Sequence, residues 1–387
     1  MSDADTSAEV TTAVSATCPN CGEPIHEGEA FCEACGFALG PAPVAVDPAP
    51  DAVPAVAAAE AAPIARPCVY CGGVVADDGY CEQCGQRAPT EREHWVEQPI
   101  PLVAGVCDRG LRHAANEDAM ALAAFPSPSG GVGTALLVVC DGVSSTPDSD
   151  TASLAAARAA REVLVAGHAT DMSDPNDLDG AAIVSRWSHR LQEAVSKASD
   201  AIDAAIPDIA TRPNPPSCTF TAAVLDGSVL ITANVGDSRS YWVPDAGDAR
   251  QLTTDDSWAQ QQIAEGMPRA QAESAKQAHA ITRWLGADAH DEVPRVVPTF
   301  LSEPGWVLAC SDGLWNYSSA AAELGALVHA TSERVGTDPA VLAEALVAWA
   351  NEQGGHDNIT VALARFEPGA VPVVEPEAVT APMTPTE

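Results

Sequence analysis

The stretch ALLVVCDG, residues 135–142, decides how the rest of the chain is interpreted. Six apolar residues run directly into an Asp-Gly pair, and a continuous apolar run of this length favours a buried β-strand over a helix. An aspartate at the end of such a strand would be held at the rim of a sheet by a rigid element. Because Asp-Gly is also common turn chemistry, a single occurrence favours a plain turn.

Related arrangements occur at three other strand-like runs that are distant in the chain, two of which end at an aspartate while the third begins directly after one. With the first, they place four acidic side chains at strand ends: Asp141, Asp237, Asp312 and Asp357. Hard divalent cations such as Mg²⁺ and Mn²⁺ prefer carboxylate and carbonyl oxygens, so this recurrence predicts a metal site. By contrast, Asp226 and Gly227 lie between two strand-like runs and are predicted to form an ordinary hairpin turn.

Length and charge limit the classes of protein to consider. The 387 residues allow one domain of about 250 residues plus small modules. The formal net charge is -35, which repels nucleic acid and anionic membranes and favours cationic partners, although solubility alone accounts for it equally well. The sequence shows neither a membrane span nor a signal-peptide pattern. We therefore expect a cytoplasmic protein with no nucleic-acid or membrane partner.

The cysteines predict two small metal modules. Eight of the 12 cysteines form Cys-x-x-Cys pairs: Cys18, Cys21, Cys32 and Cys35 in the first module, Cys68, Cys71, Cys81 and Cys84 in the second. Four thiolates in two such knuckles match a tetrahedral Zn²⁺ site, and neither loop has enough apolar residues to fold without its metal. A rubredoxin-like iron site and a redox dithiol are the alternatives. The other four are predicted to be buried, reduced thiols: Cys107, Cys140, Cys218 and Cys310.

The two modules resemble the short zinc ribbons found at the ends of many bacterial proteins. Zinc ribbons often bind nucleic acid, but the first one has four glutamates and no lysine or arginine. That charge is unsuited to phosphate binding. Two roles remain open, either docking of an unknown protein partner or a pair of stable caps on a flexible linker.

Composition divides the chain into segments, and its periodicity predicts the architecture. The segments are a disordered start (1–16), the first ribbon (17–40), an Ala/Pro-rich linker (41–66), the second ribbon (67–88), a second linker (89–100), a large domain (101–367) and a disordered tail (368–387). In the large domain, long helical patterns alternate with groups of hairpin-linked strands. This alternation predicts an α+β fold with helices packed outside a two-sheet sandwich.

The large domain resembles the protein phosphatase 2C family, the metal-dependent protein serine/threonine phosphatases. Seven motifs in order carry the resemblance: DRGLRHAANEDA, LLVVCDG, NVGDSRSYW, QLTTDDSW, ITRWLG, LACSDGLW and HDNITVAL. The resemblance implies a four-layer α-β-β-α sandwich with a metal cluster at one end of the sheets. It also implies hydrolysis of phosphoserine and phosphothreonine in proteins that Ser/Thr kinases have phosphorylated.

The resemblance also implies a role for each site residue. Asp141 would bridge two Mg²⁺ or Mn²⁺ ions, and Gly142 would add its carbonyl oxygen. Asp312 and Asp357 would complete the pair, and Asp237 would hold a weaker third ion. Two such cations lower the pKa of a water between them and offset charge on the phosphoryl oxygens. Asn116, Glu117 and Asp118 would order the waters, with Glu117, Asp118 and Asp141 the catalytic residues, and Asn358 and Arg239 would support the site.

The sequence departs from the family's pattern in three places. The arginine that binds phosphate in the family is replaced by His113, which follows Arg112, so we expect one of these two side chains to hold the substrate phosphate. A Gly-Gly pair is replaced by Ser144 and Ser145, and a histidine is replaced by Asp256. These departures leave open a pseudophosphatase that binds phosphoproteins as a scaffold. A nucleic-acid regulator with zinc ribbons is a third interpretation, which the acidic charge disfavours.

Overall fold

The computed structural model of the chain describes residues 16–17, 24–25, 68, 71–76, 78–127, 132–170 and 180–368. The chain forms two compact units, Met1–Ala65 and Arg66–Glu387. In the first unit the described residues are two short paired strands, β1 (Ala16–Thr17) and β2 (Pro24–Ile25). The cysteines of the first ribbon lie outside the described residues. So do residues 1–15 and 369–387, which make up nearly all of the two segments predicted to be disordered.

The second unit contains strands, helices and a 3-10 turn at Ile209–Thr211. The strands are β3 (His94–Ile100), β4 (Val103–Asp108), β5 (Ala119–Pro126), β6 (Val132–Cys140), β7 (Ser217–Cys218), β8 (Phe220–Asp226), β9 (Val229–Val235), β10 (Arg239–Pro244), β11 (Arg250–Gln251), β12 (Leu285–Gly286), β13 (Arg295–Phe300), β14 (Gly305–Cys310) and β15 (Ile359–Phe366). The helices are α1 (Ser149–Thr170), α2 (Gly180–Ala205), α3 (Trp258–Ala264), α4 (Arg269–Glu273), α5 (Asp312–Trp315), α6 (Ala321–Val335) and α7 (Pro339–Glu352).

Most strands belong to two antiparallel sheets. The six-stranded sheet has the order β11-β10-β14-β15-β4-β3, and the five-stranded sheet has the order β13-β9-β8-β6-β5. β8 and β9 form a hairpin, as the sequence predicts, in which Asp226 pairs with Val229 and Gly227 and Ser228 form the turn. A small pair, β7 and β12, lies beside the loop that follows β6, where Gly142 forms a bridge with Cys218.

Three apolar clusters hold the layers of the sandwich together. One lies between the inner faces of the two sheets and includes Met120, Leu137 and Trp242. A second joins α1 and α2 to the five-stranded sheet, and a third joins α5, α6 and α7 to the six-stranded sheet. The helical spacing of α2 buries one face, which includes Trp187 and Leu191. The structure confirms the predicted α+β class, with helices outside a two-sheet sandwich.

Residues 94–100, which the sequence analysis assigns to a linker, form β3 instead. This strand pairs antiparallel with β4 and is the edge of the six-stranded sheet. Its sequence HWVEQPI contains proline and polar residues and lacks the apolar run of a buried strand. An edge strand tolerates such residues because one of its sides faces solvent, which explains why the pattern was not recognisable.

β13 is one of the two edge strands of the five-stranded sheet. Pro298, which has no N–H, lies within this strand, and the ring of Phe300 is 62% exposed. Between β11 and β12, α3 and α4 form a small helical pair around Ala259, Ala272 and Ala278. Across the described ranges, no helix combines the length and the apolar composition needed to cross a membrane.

Candidate metal centre

Strand register brings three of the four predicted aspartates to the same end of the six-stranded sheet. Arg239 at the start of β10 pairs with Cys310 at the end of β14, and Cys310 pairs with Val361 near the start of β15. Asp237, Asp312 and Asp357 flank these positions in the sequence. The fourth, Asp141, follows β6 of the other sheet, and its backbone carbonyl accepts a hydrogen bond from the N–H of Thr219 at 2.8 Å.

The carboxylates of this cluster repel one another in a poorly solvated environment. Burial and the charges of Asp357 and Asp312 raise the pKa of Asp118 to about 7. Burial and the charge of Asp357 raise the pKa of Asp312 to about 7. Burial and the neighbouring aspartates raise the pKa of Asp141 and of Asp237 well above the usual range. The five acidic groups therefore share one electrostatic environment at this end of the sandwich.

The donor set fits a hard divalent cation. Among the ion pairs of the described residues, none involves Asp118, Asp141, Asp237 or Asp312, so no side-chain cation contacts these carboxylates, although the nearby charge of Arg239 offsets part of the rise in the pKa of Asp237 and of Asp312. Carboxylate oxygens are the ligands that Mg²⁺ and Mn²⁺ prefer, and an unneutralised set of them is stable only with a bound cation or bound protons.

Two hydroxyl groups that the sequence analysis missed hold Asp118. Ser311 Oγ donates to Asp118 Oδ2 at 2.6 Å, and Thr360 Oγ1 donates to the same oxygen at 2.7 Å. Asn116 lies behind this group, where its Oδ1 accepts a hydrogen bond from the N–H of Asp118 at 3.2 Å. A signal for Ser311 exists in the sequence, because it directly precedes Asp312 at the end of an apolar run.

Asn358 fastens the loop between β4 and β5 to the centre. Its Oδ1 accepts a hydrogen bond from the N–H of Glu117 at 2.7 Å. Its Nδ2 donates to the carbonyl oxygens of Arg109 at 2.7 Å and of Ala115 at 3.0 Å. Asn358 thus holds this loop through three hydrogen bonds.

Close backbone approach surrounds the predicted ligands Gly142 and Asp312. A Cβ atom on Gly142 would lie 2.5 Å from the carbonyl oxygen of Glu117, and one on Gly313 would lie 1.9 Å from that of Asn358. Neither distance is compatible with a side chain. The Asp-Gly pairs therefore exist at this end because the chain segments pack too closely for any other residue.

The two candidate phosphate ligands have different surroundings. His113 Nε2 lies 3.3 Å from Asp357 Oδ1, and His113 Nδ1 lies 3.4 Å from Glu117 Oε2. The same carboxylate of Glu117 accepts hydrogen bonds from Ser144 Oγ and from Ser149 Oγ, both at 2.6 Å. The neighbouring Arg112 side chain is exposed. The structure therefore engages His113 between two acidic groups and leaves Arg112 facing solvent.

Arg239 supports the centre indirectly. Its guanidinium forms a buried ion pair with Asp255 at 2.7 Å and stacks 3.5 Å above the ring of Trp315. The indole Nε1 of Trp315 in turn donates to the backbone carbonyl of Asp237 at 3.0 Å. Burial opposes the charge of Arg239, but Tyr241 and Asp255 raise its pKa, so the guanidinium stays charged.

Asp256, which departs from the family's pattern, is paired with two arginines. It is 3% exposed and forms ion pairs with Arg283, at 3.1 Å, and with Arg295. Its Oδ2 also accepts a hydrogen bond from the N–H of Gly236 at 3.1 Å. The aspartate thus anchors the turn before Asp237.

The second ribbon brings its four cysteines together. The ligand atoms of Cys68, Cys71, Cys81 and Cys84 all lie within 4.8 Å of one another, and in the described part of the chain no other group of three or more possible ligands meets that limit. The backbone N–H groups of Cys84 and Gln83 lower the pKa of Cys81 to about 6, which favours the thiolate. The corresponding cysteines of the first ribbon lie outside the described residues.

Comparison with known proteins identifies the family. The family model described as protein phosphatase 2C matches residues 112–350. The chain belongs to the protein phosphatase 2C family. A second family model, described as double zinc ribbon, matches residues 18–93. Together the two matches account for the large domain and for both cysteine modules of this phosphatase 2C member.

Curated relatives of this phosphatase 2C chain are bacterial phosphatases. Serine/threonine phosphatase stp of Listeria innocua is 34% identical over 146 residues, which are 38% of this chain and 55% of that protein. Serine/threonine protein phosphatase PstP of Mycobacterium tuberculosis is 29% identical over 263 residues, which are 66% of this chain and 43% of that protein. The chain thus spans about half the length of these relatives.

A solved structure shows the same phosphatase 2C fold. Serine/threonine phosphatase Stp1 from Staphylococcus aureus superposes with a TM-score of 0.53 at 22% identity, covering 69% of this chain and 96% of that one. At this identity the likeness concerns the fold and not individual side chains.

Proposed function

We propose that the protein hydrolyses phosphoserine and phosphothreonine in phosphorylated proteins and that this activity depends on Mg²⁺ or Mn²⁺. One observation carries the proposal. Carboxylates from both sheets meet at one end of the sandwich, and in the described residues no side-chain cation pairs with Asp118, Asp141, Asp237 or Asp312. The names of the curated relatives support the same activity and class of substrate.

The residues that would hold the cations follow from this cluster. We assign Asp141, the carbonyl oxygen of Gly142, Asp312 and Asp357 to a pair of ions, and Asp237 to a third. When bound, such cations lower the pKa of a water and offset the charge of the phosphoryl oxygens, so that no phosphoenzyme is required.

The protein's own side chains would orient the reaction. Asp118, fixed by Ser311 and Thr360, presents its carboxylate toward the cluster in one orientation. Glu117 is likewise fixed by Ser144 and by its backbone bond to Asn358. Both carboxylates can accept protons from ordered water at the centre, which positions that water for attack on phosphorus.

Of the two candidates for the substrate phosphate, we assign Arg112. His113 already contacts Asp357 and Glu117, so its ring would have to leave both to reach a phosphate. Arg112 is exposed on the same loop, and a guanidinium can bind two phosphate oxygens at once. His113 then serves to hold the carboxylates.

The ribbons would each hold one structural Zn²⁺. The clustered thiols of the second ribbon and its match to a double zinc ribbon support this assignment. We further propose that the ribbons dock a protein partner, because the first one carries acidic residues and no lysine or arginine.

Turnover of a phosphothreonine peptide by the full chain tests the function. We expect hydrolysis with added MnCl₂ or MgCl₂, none without them, and a loss of about 10³-fold or more in Asp141→Ala. Asp203→Asn, which changes an exposed aspartate on α2, is the matched control and should behave like the wild type. Peptide binding without metal-dependent turnover would contradict the proposal and indicate a scaffold.

A further inference from the structure

The connecting segment between the second ribbon and the sheet (90–94) contacts the loops of the metal centre. Arg92 Nη1 donates to the backbone carbonyl of Asp118 at 2.6 Å. His94 Nδ1 lies 2.7 Å from Oδ2 of Asp108, at the end of β4. The connecting segment therefore does more than link the ribbon to the sheet, because its side chains bind residues next to the metal centre.

Glu93, between these two residues, joins the ribbon to the large domain. Its Oε1 accepts a hydrogen bond from Arg87 Nη2 at 2.5 Å and lies 3.5 Å from Arg109 Nε. Its Oε2 accepts a hydrogen bond from the N–H of Thr90 at 2.7 Å, and Thr90 Oγ1 accepts one from the N–H of Glu93 at 3.3 Å. This reciprocal pair has the hydrogen-bond pattern of a capping box, here around a turn, and it fixes the carboxylate in place.

On the side of the large domain, Arg109 controls the loop that carries the candidate phosphate ligands. Its Nη1 donates to the carbonyl oxygen of His113 at 2.7 Å, so its guanidinium closes the loop 109–113. The N–H of Arg109 also donates to the carbonyl oxygen of Glu93 at 2.8 Å. Both the backbone and the side chain of Glu93 therefore contact the residue that closes this loop.

On the side of the ribbon, the position of Arg87 depends on the cysteine knuckle. Arg87 follows Cys84 by three residues and forms a backbone bridge with Tyr80, the neighbour of Cys81. The N–H of Cys81 also donates to the carbonyl oxygen of Gln86 at 2.8 Å. Because this short hairpin contains two of the four thiols, closing the ribbon also places Arg87.

We propose that Glu93 is a positioning residue through which the second ribbon sets the placement of the phosphate-binding loop (109–113). The inference rests on the proposed function, since the loop matters through binding of a phosphorylated substrate. Docking of a partner on the ribbon, or opening of its thiol cluster, would then change the affinity for substrate and leave the chemistry of the metal centre intact.

An exposed ion pair usually contributes little to stability. The pair of Glu93 and Arg87 differs because the carboxylate of Glu93 is largely buried. The Arg87 side chain is 50% exposed, whereas that of Glu93 is 14% exposed. One carboxylate is shared by two guanidinium groups and a backbone N–H, so removing it leaves several partners unpaired at once.

Kinetics of the full chain against a phosphothreonine peptide, with excess MnCl₂, test the inference. We expect Glu93→Gln and Arg87→Ala each to raise KM by about fivefold and to change kcat by less than about twofold. The double variant should be no worse than either single one, because both changes break the same link. Arg87→Lys keeps the positive charge and should stay close to the wild type.

A matched control tests for general destabilisation. Asp245→Asn removes a surface ion pair with Arg365 at the opposite end of the six-stranded sheet, where the two side chains lie 2.6 Å apart. We expect this variant to keep the KM of the wild type. An Arg87→Ala enzyme with an unchanged KM, or an Asp245→Asn enzyme with an equally raised KM, overturns the inference.

Amide hydrogen exchange provides a second measurement that does not need turnover. Residues 109–117 should exchange faster in Glu93→Gln and in Arg87→Ala, whereas α2 should exchange as in the wild type. A wild type without any phosphatase activity would defeat the proposed function alone, and the exchange result would then decide the inference. Unchanged exchange in 109–117 overturns it.

Discussion

His113 Nε2 lies 3.3 Å from Asp357 Oδ1, so the histidine that replaces the family's arginine contacts a predicted metal ligand. Its other nitrogen lies 3.4 Å from Oε2 of Glu117, and the same oxygen accepts a hydrogen bond from Ser144 at 2.6 Å. Two departures that are 31 positions apart therefore meet on one carboxylate. The serine contacts Glu117, and the histidine contacts both Glu117 and Asp357, so the two departures act on the same group of carboxylates.

We predict opposite effects for the two neighbours on this loop. His113→Ala should weaken Mn²⁺ binding by about tenfold, because a residue behind a metal ligand typically contributes that much. Arg112→Ala should raise KM for the peptide with unchanged Mn²⁺ affinity. Titration calorimetry and steady-state kinetics measure the two quantities, and His290→Ala, which changes an exposed histidine, is the control. Identical profiles for the two variants would refute the assignment of Arg112 to phosphate.

His94 gives the folded state a pH dependence. Burial lowers its pKa, but hydrogen bonds to Asp108 and Glu344 outweigh burial and raise the pKa to about 9. Because protonated His94 is favoured in the folded state, it stabilises the fold fully at pH values below its pKa in the unfolded chain, near 6.5. This stabilisation is lost as the pH rises toward 9. Urea unfolding of the wild type and of His94→Gln should differ by about 2 kcal/mol more at pH 6 than at pH 9.5. A constant difference would contradict the charged histidine.

Gly313 should tolerate no side chain. A Cβ atom there would lie 1.9 Å from the carbonyl oxygen of Asn358, so Gly313→Ala must push α5 away from β15 and displace Asp312. We expect a loss of about 3 kcal/mol in the free energy of unfolding, together with weaker Mn²⁺ binding. Gly227→Ala is the comparison, because its φ of +57° is strained but nothing lies within 4 Å, and it should cost about 1 kcal/mol. Equal costs would show that the close contact is absent.

The thiol cluster predicts a specific metal content. The purified full chain should contain two Zn²⁺ ions per chain, and a Cys71→Ser, Cys81→Ser double variant should contain one. Cys218→Ala removes a buried thiol that belongs to neither ribbon and should leave the zinc content unchanged. Mass spectrometry measures the number of zinc ions per chain. Two ions retained in the double variant would exclude the second ribbon as a zinc site.

Strand ends were the most informative part of the sequence. The aspartates at strand ends could be recognised because a rigid strand fixes the side chains at its two ends, and Asp226 was separated from them by its hairpin context. The long helix α2 was equally recognisable, since its apolar residues keep a helical spacing. These signals are local, so a single sequence contains them.

Contacts between distant segments could not be predicted in the same way. Nothing in the sequence shows that Thr360 contacts Asp118, or that Ser144 and His113 meet at Glu117, because these contacts depend on how the two sheets pack. The strand β3 was missed for a different reason, since an edge strand does not need the apolar pattern on which recognition depends.

Pro298 in β13 has a consequence for how copies of this protein behave when crowded. A strand without one of its backbone donors is a poor template for a neighbouring chain, even though the nearby ring of Phe300 is 62% exposed. Replacing Pro298 would restore a backbone N–H at this edge strand and make pairing with another chain easier. Pro298 therefore disfavours pairing of this edge with a strand of a second chain, an effect unrelated to phosphate chemistry.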